Sequence, residues 1–204
     1  ALNAGGTTDN SGEIKLGSQP AQFTGTVTNS GKITASDGTV TFGGNVTNDG
    51  TIICGGGDVT FRGTYGSSSN ATAELTESSG GYTYFSSDAD FSYTTFTANG
   101  GTVVFNSATG QTLKLTNATT FNNVMLPDDG TTSVLTVNGT FNINGTLKTS
   151  ANRTLDMQTN NSTLNADGTT DNSGEIKLGS QPAQFTGTVT NSGKITASDG
   201  TVTF

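Results

Sequence analysis

The stretch GTVTNSGKITASDGTVTF, residues 25–42, decides the fold. Its apolar residues fall in three short groups: Val27 alone, Ile33 with Ala35, and Val40 with Phe42. Thr26, Thr28, Lys32, Thr34, Thr39 and Thr41 lie between or beside them. Alternation with period two marks a strand with one face buried. Turn-forming breaks separate the groups, at Asn29-Ser-Gly31, Ser36-Asp-Gly38 and Gly43-Gly44. Three short strands and three corners describe one coil of an all-β, parallel β-solenoid, with the apolar residues inside and the threonines outside. Parallel crossovers are right-handed almost without exception, so a right-handed coil is expected.

The pattern returns every 19 residues. Asn10, Asn29 and Asn48 share a column, as do Gly12, Gly31 and Gly50. Ile14, Ile33 and Ile52 form another, and so do Leu16, Ala35 and Cys54. Phe23, Phe42 and Phe61 close each coil. Coils stacked ~4.8 Å apart bring like residues together. The asparagines are therefore expected to form an amide ladder at one corner. The glycines after them are expected to supply the positive φ of a tight turn, and the Ile and Phe columns to line the interior. Cys54, aligned with Leu16 and Ala35, reads as a buried thiol; a link between strands of a fibre is the alternative.

A longer repeat encloses this one. Leu2–Phe42 reappears as Leu164–Phe204, offset by 162 residues, with Gly5 changed to Asp167 as the single difference in 41 positions. Residues 1–162 read as one full unit and residues 163–204 as the start of the next, in one continuous solenoid. Beyond Phe61 the spacing loosens. Phe85 and Phe105 look like further coil ends, and the 80 residues from Phe105 to Phe185 leave room for four coils of about 20 residues. A unit of about eight coils and ~38 Å follows. The irregular stretch from Thr64 to Gly81 is expected to carry a projecting loop.

Composition agrees. The chain has 41 Thr, 20 Ser, 20 Asn and 29 Gly, only 3 Pro, and a net charge of −8. Thr, Val, Ile and Phe favour strands, whereas Gly, Asn and Asp favour turns. Spread acidic charge suits solubility and disfavours nucleic acid, which needs basic stripes. No run approaches the ~20 apolar residues of a membrane helix. With no starting Met and no signal peptide, the chain reads as a window cut from a longer protein. One cysteine makes no disulfide framework.

The segments GTVTNSGKITASDGTVTF (25–42), GGNVTNDGTIICGGGDVTF (43–61) and TVNGTFNINGTLKTSANRTLDMQ (136–158) resemble the parallel β-helix shafts of large repetitive bacterial surface proteins. The similar groups are filamentous-haemagglutinin-like exoproteins and autotransporter adhesins. The resemblance implies secretion, an extracellular or cell-surface location, and a structural role as shaft, stalk or filament. Its partners would be neighbouring copies, joined head to tail. No receptor-binding residue carries over.

Chemistry has few candidates. Polysaccharide-cleaving β-helices need carboxylate clusters in a groove. The choices are Asp88 with Asp90, Asp128 with Asp129, and Arg153 near Asp156; Pro127-Asp-Asp-Gly130 reads better as a turn. Gly55-Gly-Gly-Asp58-Val faintly resembles a calcium-binding nonapeptide but occurs once. The paired threonines Thr26/Thr28 and Thr39/Thr41 suggest an ice-binding row, but Asp58 interrupts it one coil on. No pattern calls for a metal or cofactor. Sequons occur at Asn45, Asn70, Asn117, Asn138, Asn144, Asn152, Asn160 and Asn161, about as many as this composition produces by chance. Aromatic residues bunch at Tyr82, Tyr84, Phe91 and Tyr93, which could stack on sugars. The reading is a non-enzymatic structural segment, with a glycan-binding adhesin surface as the alternative and a polysaccharide-cleaving enzyme as a distant third.

Overall fold

The structure, a computed structural model, describes residues 1–68, 72–116 and 119–204. The sequons at Asn70 and Asn117, and the middle of the expected loop between Thr64 and Gly81, lie outside the described residues. The protein is an all-β parallel solenoid with three strands per coil and no helix among the described residues. The first coil is Leu2–Ala4, Thr8–Asn10 and Glu13–Lys15; the tenth is Val189–Asn191, Lys194–Ala197 and Val202–Thr203.

Each coil contributes one strand to each of three faces. The first face is a ten-stranded sheet running from Leu2–Ala4 to Val189–Asn191. The second, also ten-stranded, runs from Thr8–Asn10 to Lys194–Ala197. The third is split into two five-stranded sheets, which part between Thr94–Thr97 and Thr120–Phe121. Inside that gap the Phe96 and Phe121 rings meet with centroids 4.7 Å apart, so the core continues where the backbone ladder stops. The pairings are parallel and in register, as in Ala21 on Val40 on Val59 and Ile14 on Ile33 on Ile52.

Residues 25–42 fold as their alternation predicts. Val27, Ile33, Ala35, Val40 and Phe42 are buried, while the intervening threonines and Lys32 reach solvent. Phe23, Phe42, Phe61 and Phe85 stack with centroids 5.0 to 5.1 Å apart and planes within 10°. Phe105 continues the stack at 5.8 Å. Each such pair adds about 0.5–1.5 kcal/mol beyond the area it buries. Above Phe105 the column turns: Phe121 meets Phe105, and Phe141 meets Phe121, edge to face.

The glycine expectation needs correction. Gly12, Gly31 and Gly50 do not have positive φ; Gly100, Gly110, Gly130 and Gly139 do. The corner needs glycine because stacked backbones touch there. A Cβ on Gly31 would run into the carbonyl oxygen of Gly12, and one on Gly50 into that of Gly31.

The two copies of the repeat do not lie on the same faces. Thr8–Asn10 belongs to the second face, whereas its copy Thr170–Asn172 belongs to the first. Leu2–Ala4 is on the first face and its copy, within Thr163–Ala166, on the third. Glu13–Lys15 is on the third and its copy, within Glu175–Leu178, on the second. From Leu2–Ala4 to its copy the chain advances 23 strands, one short of eight coils. The unit of about eight coils is thus seven and two-thirds, or ~37 Å at 4.8 Å per coil.

Candidate functional site

The asparagine column is the most ordered polar feature. Asn10 donates through Nδ2 to Asn29 Oδ1 at 2.7 Å, and Asn29 to Asn48 Oδ1 at 2.7 Å. Each also donates to a carbonyl of the next coil, that of Lys32 or Thr51. Asn48 ends the ladder by donating to the Tyr65 hydroxyl at 3.2 Å and to the Glu74 carbonyl. Tyr65 is buried, and desolvation pushes its phenol well above the ordinary range. In the second copy Asn172 donates to Asn191 at 2.7 Å, but at the corner after the first face rather than the second. The ladder holds coils together, its amides bonded to one another and to backbone carbonyls.

The aromatic bunch does not form one platform. Tyr82 and Tyr84 point outward from the first face, their centroids 5.6 Å apart and their planes tilted by 43°. Tyr82 is 41% exposed. A shallow groove of about 290 Å³ beside Tyr82 continues over Thr102, Asn123, Met125 and Lys148. Tyr93 is exposed elsewhere, by Ser92, Phe96 and Thr116. Phe91 is fully buried against Tyr65, Phe85, Phe96 and Phe121, so it is a core residue and leaves the platform. Strand alternation explains the sorting: Tyr82 and Tyr84 share one side, Thr83 and Phe85 the other.

The carboxylates are engaged in local bonds. Asp88 accepts from the Thr112 N–H at 2.7 Å. Asp90 accepts from the Ser92 N–H and pairs with Lys114 at 3.1 Å. Asp128 and Asp129 cap the turn at Gly130 and Thr131. Arg153 pairs with Asp129 at 2.6 Å, whereas Asp156 caps Gln158 and Thr159. The Arg153 guanidinium is buried and also donates to the carbonyls of Pro127 and Ser107, stitching three coils. Asp58 of the glycine-rich corner accepts from the Tyr82 N–H. Among the described residues no three His, Cys, Asp or Glu side chains group as metal ligands.

One polar group escaped the sequence reading. Glu77 follows Thr76, which pairs with Ile53, so it stands directly over Cys54 in the column Leu16–Ala35–Cys54. Both are buried. Desolvation is the main influence on each: it pushes the Cys54 thiol up to about 12 and raises the Glu77 carboxyl. The Asn99 N–H donates to Glu77 Oε1 at 2.8 Å, while Oε2 has no hydrogen bond of good geometry. An acidic residue at an inward position gives no periodic signal, because the pattern expects an apolar residue there.

Among the described residues no helix is long and apolar enough to cross a membrane. No family model matches the chain, and no curated protein or solved structure matches it.

Proposed function

We propose that the chain is a segment of a non-enzymatic, extracellular or cell-surface shaft built from tandem 162-residue solenoid units, like the repetitive bacterial surface proteins it resembles. The observation that carries this reading is the junction between units. Phe141 pairs with Leu164, Leu147 with Thr170 and Leu155 with Ile176, so parallel ladders cross the unit boundary on all three faces. A continuous core and no linker make a rod that lengthens with each unit. A threonine-rich, acidic surface keeps it in solution. Its partners are neighbouring copies, head to tail. Cryo-electron microscopy of the native material tests the reading: fibres with a ~4.8 Å layer line are expected, and short discrete particles would overturn it.

A second reading rests on Tyr82, exposed beside Met125, and the half-buried Tyr84 tilted against it, which together offer a face to a sugar. A glycan array comparing the chain with Tyr82→Ala/Tyr84→Ala separates the two. Binding lost in the double variant supports an adhesin surface; no binding by either leaves the shaft alone.

A further inference from the structure

Residues at the edge of the first coil are covered in their second copy. Leu2 is 40% exposed, and Leu164, the same residue one unit later, is 0% exposed. Ala4 and Ile14 are partly buried, whereas Ala166 and Ile176 are buried. The cover is the coil formed by Thr140–Ile143, Leu147–Thr149 and Arg153–Asp156. Phe141, Ile143 and Leu155 supply the apolar contact. Asn165 donates to Asn142 Oδ1 at 2.8 Å, and Lys148 faces Asp171 at 4.0 Å. Asn3 and Asp9 are the first-copy counterparts of Asn165 and Asp171, ready for the same partners.

We propose that the edge of Leu2–Leu16 seats the Thr140–Asp156 coil of a preceding copy, and that each copy joins one face round from the last. The rotation follows from strand number. A unit of 23 strands on a three-strand coil falls one strand short of closing. The Asn ladder and the Phe stack move with it: Phe185 and Phe204 stack at 5.3 Å on the third face, although Phe23 and Phe42 stack on the first. Such a head-to-tail contact does not close into a ring. In an array, which rests on the shaft reading above, a unit feature returns to the same sheet only at every third unit. Three units span 23 coils, or ~110 Å. The Tyr82–Tyr84 pair would then lie in three rows, one on each face, rather than in a single row.

Cysteine pairs in the 204-residue chain, carrying Cys54→Ala, test the junction. Adjacent in-register strands place Cα atoms within disulfide range. Lys148→Cys/Asp171→Cys and Asp156→Cys/Lys177→Cys should each close on mild oxidation, as read by mass spectrometry of linked peptides. Asp156→Cys/Asp171→Cys should stay open. Closure of that third pair in place of the first would mean the copies sit on the same face, and would overturn the rotation. All these residues reach solvent, so the core is untouched apart from Cys54→Ala, which matches Ala35 of the coil below. In native fibres, sheet identity should recur at ~110 Å. Units related by simple translation along one sheet would overturn the rotated array. Absence of fibres would overturn the shaft reading, and the cross-links would still decide the junction.

Discussion

Leu2–Phe42 and Leu164–Phe204 differ at one residue in 41, yet the two segments have opposite exposure profiles. In the first copy the early residues are open and the late ones buried. In the second the order is reversed: Phe42 is 1% exposed and Phe204 74%, while Leu2 is open and Leu164 is not. Val27 and Asn29 are buried, whereas Val189 is partly open and Asn191 exposed. The same sequence forms the same strands in both places, so local propensity is satisfied at either end. Burial comes from the coil above or below. In a solenoid, stability belongs to interfaces between coils as much as to the coils themselves.

The largest effect that could break this comparison is at the phenylalanines. Phe42→Ala should cost about 3–5 kcal/mol, because the ring lies between Phe23 and Phe61. In the 204-residue chain, where no coil covers it, Phe204→Ala should cost less than about 0.5 kcal/mol. Urea unfolding of the two variants measures both, and equal losses would deny that position sets the value of a residue. The asparagines come next. Asn29→Ala removes the middle rung, taking the donor from buried Asn48 Oδ1 and one acceptor from Asn10, at about 2–3 kcal/mol. Asn191→Ala removes one of the acceptors of Asn172, which keeps the Lys194 carbonyl, and should cost about 1 kcal/mol or less.

Glu77 sharpens the comparison through pH. Its carboxyl is raised by burial, so the folded state prefers the protonated form. The associated stability is fully present below the ordinary value of 4.5 and is lost as pH rises through the folded value. Glu77→Gln should therefore gain about 1–3 kcal/mol at pH 7 and almost nothing at pH 4. Thermal melts across that range read the difference; a gain independent of pH would assign it to packing instead. The smallest effect belongs to the one residue that differs. Asp167→Gly removes an exposed contact with Thr186 and should change stability by less than about 0.5 kcal/mol.

The coil was legible in residues 1–61 because stacking repeats each environment every 19 residues, so one solution serves three times over. The ladder Asn10–Asn29–Asn48 and the Phe23–Phe42–Phe61 stack were both readable for that reason. The corner glycines were found for the wrong cause: a close approach between backbones leaves the same mark in a sequence as a positive φ. The rotation was not readable. Counting coils by phenylalanine assumes that Phe always ends a first-face strand, yet Phe121, Phe141 and Phe185 all lie on the third. Any inward position can hold a ring, so a ring alone does not name its face. The site residues divided similarly. Tyr82 and Tyr84 could be paired by alternation, but Phe91 and Tyr93 follow a corner whose direction no periodicity records.

The inter-coil ladders have a mechanical consequence. Their hydrogen bonds lie along the rod, so an end-to-end pull loads them in tension and strains one coil boundary before the rest. A released coil of 19 residues exchanges ~4.8 Å of rise for roughly 65 Å of extended chain. Such a rod is stiff until a coil lets go and then lengthens by about thirteen times that coil's rise. Every coil added increases both the reach of the rod and the slack it can release under load.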